Sequence, residues 1–320
     1  MSSEIRIIFM GSAELACPSL EKLRTTPGMR VVGVATQPER PRGRSLRPAA
    51  CPVCAHVAHF GIPVLMPEKI NTPETLAVLR DLQPDVIVVV AYGQILKRAI
   101  LDLPRLGCIN LHASLLPRYR GAAPVQWAIA RGERETGVTT MFMNEGLDTG
   151  DIIFQEAEPI RPDDTAAALQ ARLAQRGAGL LDRTLLALRA GTAPRRPQDP
   201  AAATFAPRLK KTDGRLDWTR PAAEICNRIR GFNPWPGCFL MLPAPRNLSV
   251  KVLLARAEDC PAVLPGAAPG TILQAAGPGP LIRTGGGAVR LLQLQPEGKK
   301  PMPGGAFLCG YGLCPGVVLA

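Results

Sequence analysis

Five consecutive β-branched residues, Val86-Ile-Val-Val-Val90, constrain this chain more than any other segment. β-Branched side chains restrict χ1 and favour extended backbone. A strand without polar alternation must bury both faces, which a central place in a helix-covered parallel sheet provides. The flanks agree. Thr72 to Leu82 reads as a helix with Thr72 as N-cap, Pro73 at its first position and Glu74 in its first turn. Leu96 to Leu101 gives a further helical turn or two. The alternation runs on through most of the first 190 residues. Strands are expected at Ile5–Met10, Val31–Ala35, Ile62–Leu65, Cys108–Leu111, Gly137–Met143 and Ile152–Gln155. Helices are expected at Leu15–Leu23, Ala123–Ala130 and Ala166–Leu188. Strands alternating with helices predict an α/β domain built on a mostly parallel sheet.

The pattern then breaks. Residues 190–203 are rich in Pro and Ala, lack hydrophobic periodicity and read as an interdomain linker. Pro221 to Ile229 reads as a helix with Pro at its start. From Phe239 on, short apolar runs at Val250–Leu254, Thr271–Gln274, Leu281–Arg283 and Val289–Leu294 alternate with Pro and Gly, as in a small β-barrel or sandwich. With 46% hydrophobic and 20% charged residues the composition is that of a soluble globular protein. Long apolar spans and a secretion-type N-terminus are both lacking, so a cytoplasmic protein without a membrane segment is expected. Nine scattered cysteines, an odd number, read as reduced thiols. The net charge of +12 is unevenly placed. Residues 207–320 hold 14 Lys and Arg against 6 Asp and Glu, so the smaller part carries most of the excess. A basic lobe of this kind points to a polyanionic partner or to plain surface decoration.

Candidate chemistry sits where the Cys108 strand runs out. Asn110 and His112 are two apart, so on a strand they face one side. Ligands of open α/β sheets bind beyond the carboxyl ends of the strands. A later loop, Glu145-Gly-Leu-Asp-Thr-Gly-Asp151, offers Asp148 between glycines. An amide and an imidazole beside a carbonyl can stabilise a tetrahedral oxyanion, and a carboxylate can orient the imidazole. No nucleophile accompanies them. Ser114 is followed by Leu-Leu-Pro rather than by nucleophile-elbow glycine geometry, and Cys108 lies inside the strand. Donors and a carboxylate without a protein nucleophile fit direct transfer between two substrates. Cys51-Pro-Val-Cys-Ala-His-Val-Ala-His59 has metal-binding residue types. Structural zinc pairs are usually a dozen or more residues apart, however, so no metal is assigned.

The stretch Asn110-x-His112-x-Ser114-Leu-Leu-Pro117-x-Tyr-Arg-Gly121, followed by Gly146-Leu-Asp-Thr-Gly-Asp151, resembles the formyltetrahydrofolate-dependent formyltransferases. The likeness extends to Phe9-Met-Gly-Ser12, Thr36-Gln-Pro, Ala91-Tyr-Gly-Gln-Ile-Leu96 and Phe232-Asn-Pro-Trp-Pro236. The last segment and the Thr-Gln-Pro loop are those of the branch that acts on methionyl-tRNA. The resemblance implies a Rossmann-like catalytic domain at 1–189, a linker at 190–207 and a smaller OB-like β-barrel, binding tRNA, at 208–320. It implies 10-formyltetrahydrofolate as co-substrate, no metal, and the α-amine of initiator methionyl-tRNA as acceptor. Asn110 and His112 would hold the formyl oxyanion. Asp148 would orient His112 and help move the amine proton. Ser114, Leu115, Leu116 and Pro117 would border the folate, and Tyr92, Gln94 and Leu96 would wall its pterin.

In such a family Arg40, Arg42, Arg44 and Arg47 would enter the acceptor-stem region. Arg208, Lys210 and Lys211 are the preferred phosphate contacts of the basic C-terminal part. Phe232 and Trp235 read as core at the domain junction. Cys51-Pro-Val-Cys54 departs from the Ser-Pro-Val-Lys more often found in the family. A monomer is expected, since the chain lacks heptads and an apolar stripe. Two other readings share these residues: a formyltransferase for a small amine, such as an amino sugar, and a non-catalytic RNA-binding protein with a relic enzyme domain.

Overall fold

The computed structural model describes residues 4–42, 47–261 and 266–319. Two compact units emerge. The first comprises Met1–Pro124, Thr136–Pro159 and Gln170–Ala206, and the second Val125–Glu135, Ile160–Leu169 and Pro207–Ala320.

In chain order the elements are β1 (Ile5–Gly11), α1 (Cys17–Thr25), β2 (Met29–Ala35), β3 (Arg40–Arg42), β4 (Arg47–Ala49), α2 (Pro52–Val57), β5 (Val64–Leu65), α3 (Pro73–Asp81), β6 (Val86–Val90), α4 (Arg98–Leu101), β7 (Cys108–His112), α5 (Pro124–Ala130), β8 (Glu135–Phe142), β9 (Ile152–Pro159) and α6 (Ala166–Arg189). After them come α7 (Ala222–Gly231), β10 (Cys238–Met241), β11 (Ser249–Glu258), β12 (Ile272–Gln274), β13 (Leu281–Arg283), β14 (Ala288–Pro296), β15 (Met302–Pro303) and α8 (Gly304–Tyr311).

The first unit is built on a seven-stranded sheet in the order β5-β2-β1-β6-β7-β8-β9. β6 lies at its centre, parallel to both β1 and β7. All five of its residues are buried. Burying a Val or Ile side chain contributes about 1.5–3 kcal/mol, so this one strand anchors the sheet. Below it Ile8, Met10, Val32, Ile70, Leu79, Ile100 and Leu101 form one cluster with Val89 and Ile87. The expected helix start is as read: the Thr72 hydroxyl accepts the Thr75 N–H at 3.3 Å. α2 covers only Pro52–Val57 of the Cys51–His59 segment. It is capped by Cys51, whose sulfur accepts the Cys54 N–H. β8 breaks the parallel pattern by running antiparallel to β7. β3 and β4 pair as an antiparallel ribbon with Arg42 opposite Arg47. Arg44 lies outside the described residues.

The second unit carries the smaller β domain, as an antiparallel sheet ordered β10-β11-β14-β13-β12 with β15 on β14. Segments 125–135 and 160–169 belong to this unit, so the compact units are not consecutive in sequence. The reason is side-chain and backbone packing onto α7. Gly231 lets α7 approach α5 so closely that a Cβ would lie 2.7 Å from the Gln126 carbonyl. The Arg230 guanidinium donates to the carbonyls of Asp164 and Arg161. The Trp127 indole donates to the Pro207 carbonyl and packs edge-on against Phe232. Phe232 is core, as expected. Trp235 is not: 55% of it is exposed, because the Pro-flanked turn leaves the second ring in solvent. Among the described residues no helix is long and apolar enough to cross a membrane.

The Pro/Ala-rich segment 190–206 is not a free tether. It packs with the first unit, where Arg196 bridges Ile152, and Phe205 bridges Arg120. Its hydrogen bonds are made by single residues to distant loops, a pattern without periodicity.

Candidate active site

β7 positions the polar pair by alternation. Ile109 and Leu111 go into the core, and Leu111 meets α6 at Gly177, where a Cβ would lie 2.7 Å from a Leu111 methyl. Asn110 and His112 take the other face and are buried, 9% and 6% exposed. Asp148 joins them from the loop between β8 and β9. The Asn110 side-chain amide donates to Asp148 Oδ1 at 3.3 Å. The Gly121 N–H donates to Asp148 Oδ2 at 2.8 Å. His112 Nδ1 lies 3.7 Å from the same Oδ2, within ion-pair reach but longer than a hydrogen bond. Amide, imidazole and carboxylate thus meet in one small volume.

The hydrogen bonds assign the working edges of these groups. His112 Nε2 lies 2.9 Å from the Tyr119 carbonyl oxygen. A carbonyl only accepts, so Nε2 carries a hydrogen and is occupied by the backbone. That leaves Nδ1, on the Asp148 side, for chemistry. Asn110 uses one N–H on Asp148 and retains the second. The Tyr119 carbonyl is itself held: Tyr119 sits at φ 61°, and its N–H donates to the Thr204 hydroxyl at 2.8 Å. Gly121, at φ 121°, could not be replaced cheaply, since a Cβ there would stand 2.6 Å from the Ala206 carbonyl.

The loop that follows β7 is pinned from below. The Thr139 hydroxyl donates to the Ser114 carbonyl at 2.6 Å and accepts the Leu116 N–H at 3.2 Å. Gln155 donates to the Leu116 carbonyl at 2.8 Å. Ser114 is fully buried and its hydroxyl donates to the Arg118 carbonyl at 2.7 Å, which spends it on the turn. Leu116 packs with Met141 and Ile152. Leu115 and Pro117 keep partial exposure. Burial pushes the Cys108 thiol up to about 12, with Asp102 adding to the shift, so Cys108 stays a neutral thiol. Neither Ser114 nor Cys108 is thereby available as a nucleophile.

The loop after β6 serves the site less directly. Tyr92 and Leu96 are core residues of the cluster under the sheet. Burial raises the Tyr92 phenol to about 12, and its hydroxyl has no partner among the described residues. Gln94 is committed to the neighbouring loop, accepting the Ile70 N–H and donating to the Pro67 carbonyl. All three side chains are therefore engaged within the fold. Arg208, Lys210 and Lys211 are exposed on the second unit. Arg40, Arg42 and Arg47 stand on the β3–β4 ribbon.

Sequence reading did not single out Tyr119, Arg120, Thr139, Gln155, Gln198 or Thr204. The Tyr-Arg-Gly121 end of the strand motif was the one available signal.

The chain matches a formyl transferase model over residues 5–185 and a formyl transferase C-terminal domain model over 208–312. It is 47% identical to methionyl-tRNA formyltransferase of Geobacter sulfurreducens over 315 residues, 98% of this chain and 96% of the relative. It is also 47% identical to methionyl-tRNA formyltransferase of Moorella thermoacetica, covering 98% and 99% of the two chains. Its fold is similar to that of a sugar 3N-formyl transferase whose structure was determined in the presence of dTDP and 5-N-formyl-THF. That likeness has a TM-score of 0.64 at 18% identity over 92% of this chain and 99% of the other. The chain belongs to the formyl transferase family, in its methionyl-tRNA formyltransferase branch.

Proposed function

We propose that the chain transfers the formyl group of 10-formyltetrahydrofolate to the α-amine of initiator methionyl-tRNA. The carrying observation is the Asp148 carboxylate, one oxygen on the Asn110 amide and the other on the Gly121 N–H beside His112 Nδ1. The amine attacks the formyl carbon directly. The second N–H of Asn110 meets the oxygen as charge develops on it, and Nδ1 of His112 joins it as a donor once it has taken up the amine proton, where preorganised donors lower the barrier most. Asp148 holds His112 in place and helps relay the amine proton. Collapse breaks the bond to N10 of the folate, and the proton ends on N10. Buried Cys108 and hydroxyl-bonded Ser114 support transfer without a formyl-protein intermediate.

Leu115 and Pro117, half-exposed beside the pair, support folate contact by Ser114–Pro117 through apolar surface and backbone. The Tyr92–Leu96 stretch would wall the pterin through its backbone. The basic 208–320 region would bind tRNA phosphates through Arg208, Lys210 and Lys211, and Arg40, Arg42, Arg44 and Arg47 would reach the acceptor end. The protein would act as a cytoplasmic monomer.

The test is formylation of initiator methionyl-tRNA, elongator methionyl-tRNA and free methionine with 10-formyltetrahydrofolate as donor. Initiator tRNA should be formylated far faster than the other two. A nucleotide-linked amino sugar formylated in preference to any tRNA would overturn the acceptor assignment. RNA binding without formyl transfer would overturn the enzymatic one.

A further inference from the structure

The Pro/Ala-rich segment contributes one side chain that bridges both catalytic loops. The Gln198 amide nitrogen donates to the Asp148 carbonyl at 2.9 Å and to the Gly150 carbonyl at 2.8 Å. Its oxygen accepts two N–H groups of Arg120, at 3.1 and 2.7 Å. The guanidinium has no acceptor, so the amide is fixed one way round: oxygen to Arg120, nitrogen to the Asp148 turn. Arg120 is only 7% exposed, and its backbone is held by Thr204 and Ala206 of the same segment. It lies between Tyr119, whose carbonyl occupies His112 Nε2, and Gly121, whose N–H holds Asp148 Oδ2.

Asp148 needs such support. It is a non-glycine residue at φ 53°, the left-handed region, which Asp enters more readily than most residues but still at a cost. Gly150 beside it has no room for a side chain, because a Cβ would overlap the Phe142 carbonyl. Two carbonyls of this tight turn converge on a single amide. Releasing that amide frees the turn to relax, and the carboxylate would then swing away from Asn110 and His112.

We propose that Gln198 is a positioning residue for formyl transfer, holding the Asp148 carboxylate against Asn110 and His112 through the backbone of its turn. The inference rests on the reading of Asp148 as part of the reaction centre. Gln198 acts with Arg120 as a tie between the loop after β7 and the loop before β9. It touches neither substrate nor the reacting atoms.

Five proteins test this: wild type, Gln198→Ala, Gln198→Glu, Asp148→Asn, and Gln198→Ala in the Asp148→Asn background. Gln198 is on a partly exposed segment, so folding should survive, and an unchanged melting temperature verifies it. A small misplacement of a reacting group costs roughly 10- to 100-fold in rate, so Gln198→Ala should lose about that in kcat. KM for donor and tRNA should stay nearly constant. Gln198→Glu still accepts from Arg120 but cannot donate to the two carbonyls, and it should be impaired at least as much. In the Asp148→Asn background the substitution should cost little more, since its effect passes through that carboxylate. A wild-type kcat in Gln198→Ala, full activity in Gln198→Glu, or losses that multiply with Asp148→Asn would each overturn the proposal. A wild-type protein that moves no formyl group would overturn the underlying reading and this inference together. An active wild type with an Asp148→Asn variant of equal rate would remove Asp148 from the reaction centre and the inference with it.

Discussion

At the scale of single residues, the site assigns each hydrogen-bonding edge a task. The backbone carbonyl of Tyr119 takes one side of the His112 ring, and the partly buried carboxylate of Asp148 faces the other. Asn110 divides its two amide hydrogens between Asp148 and the space before it. Asn110→Ala and His112→Ala should each lower kcat by roughly 10² or more, the usual cost of losing an oxyanion donor. On the proposed mechanism both groups act in the transition state more than in the ground state, so donor KM and tRNA affinity should change little. Steady-state kinetics with a parallel tRNA-binding measurement decides this. Unchanged turnover in either variant would remove that residue from the oxyanion site. The pair itself was legible in the sequence, because strand alternation is a local rule. Their supports were not. Tyr119, Thr204 and Gln198 act through backbone groups many residues away, and such bonds leave no periodic trace.

At the scale of elements, the sheet was legible where burial writes a pattern. The β-branched run at 86–90 became the central strand, and the Thr72-Pro73-Glu74 start became a capped helix. Segment 190–206 read as a tether because Pro and Ala carry no periodicity, yet it is hydrogen-bonded to Ile152, to Arg120 and to the Asp148 turn. The reversal of β8 was equally hidden, since an apolar strand reads alike in either direction. α6 shows how polar groups fix an element. Glu158 on β9 is 5% exposed and receives Arg172 at 2.8 Å and Arg176 at 2.9 Å. The hydrogen bond from Arg172, then that from Arg176, holds its carboxyl below the ordinary glutamate range against the burial that would raise it. The folded-state pKa is therefore depressed. This stabilisation is fully present above the unfolded value of about 4.3 and is lost as pH falls through the folded value. Glu158→Gln should lower the melting temperature at pH 7 and flatten its fall between about pH 5 and pH 3. An acid limb as steep as wild type in thermal unfolding would show that the pair does not set it.

At the scale of the whole molecule, charge distinguishes this chain from a transferase for a small neutral amine. The excess of +8 over residues 207–320 accompanies a family C-terminal domain matched at 208–312. Binding through phosphates releases counterions, so tRNA affinity should fall steeply with salt while affinity for the folate changes little. Each phosphate contact removed should lower the log–log salt slope by about one, which Lys210→Ala and Arg42→Ala test separately. Salt-independent tRNA affinity would contradict the phosphate-binding role. Direct transfer at Asn110, His112 and Asp148, without a formylated protein, is tested by mixing the protein with 10-formyltetrahydrofolate labelled in the formyl group, quenching before and after adding initiator methionyl-tRNA. The predicted result is no label on the protein at any time, and label on the methionyl amine only after tRNA is added. A stoichiometric formyl group on the protein before tRNA arrives, passed to the amine afterwards, would contradict it.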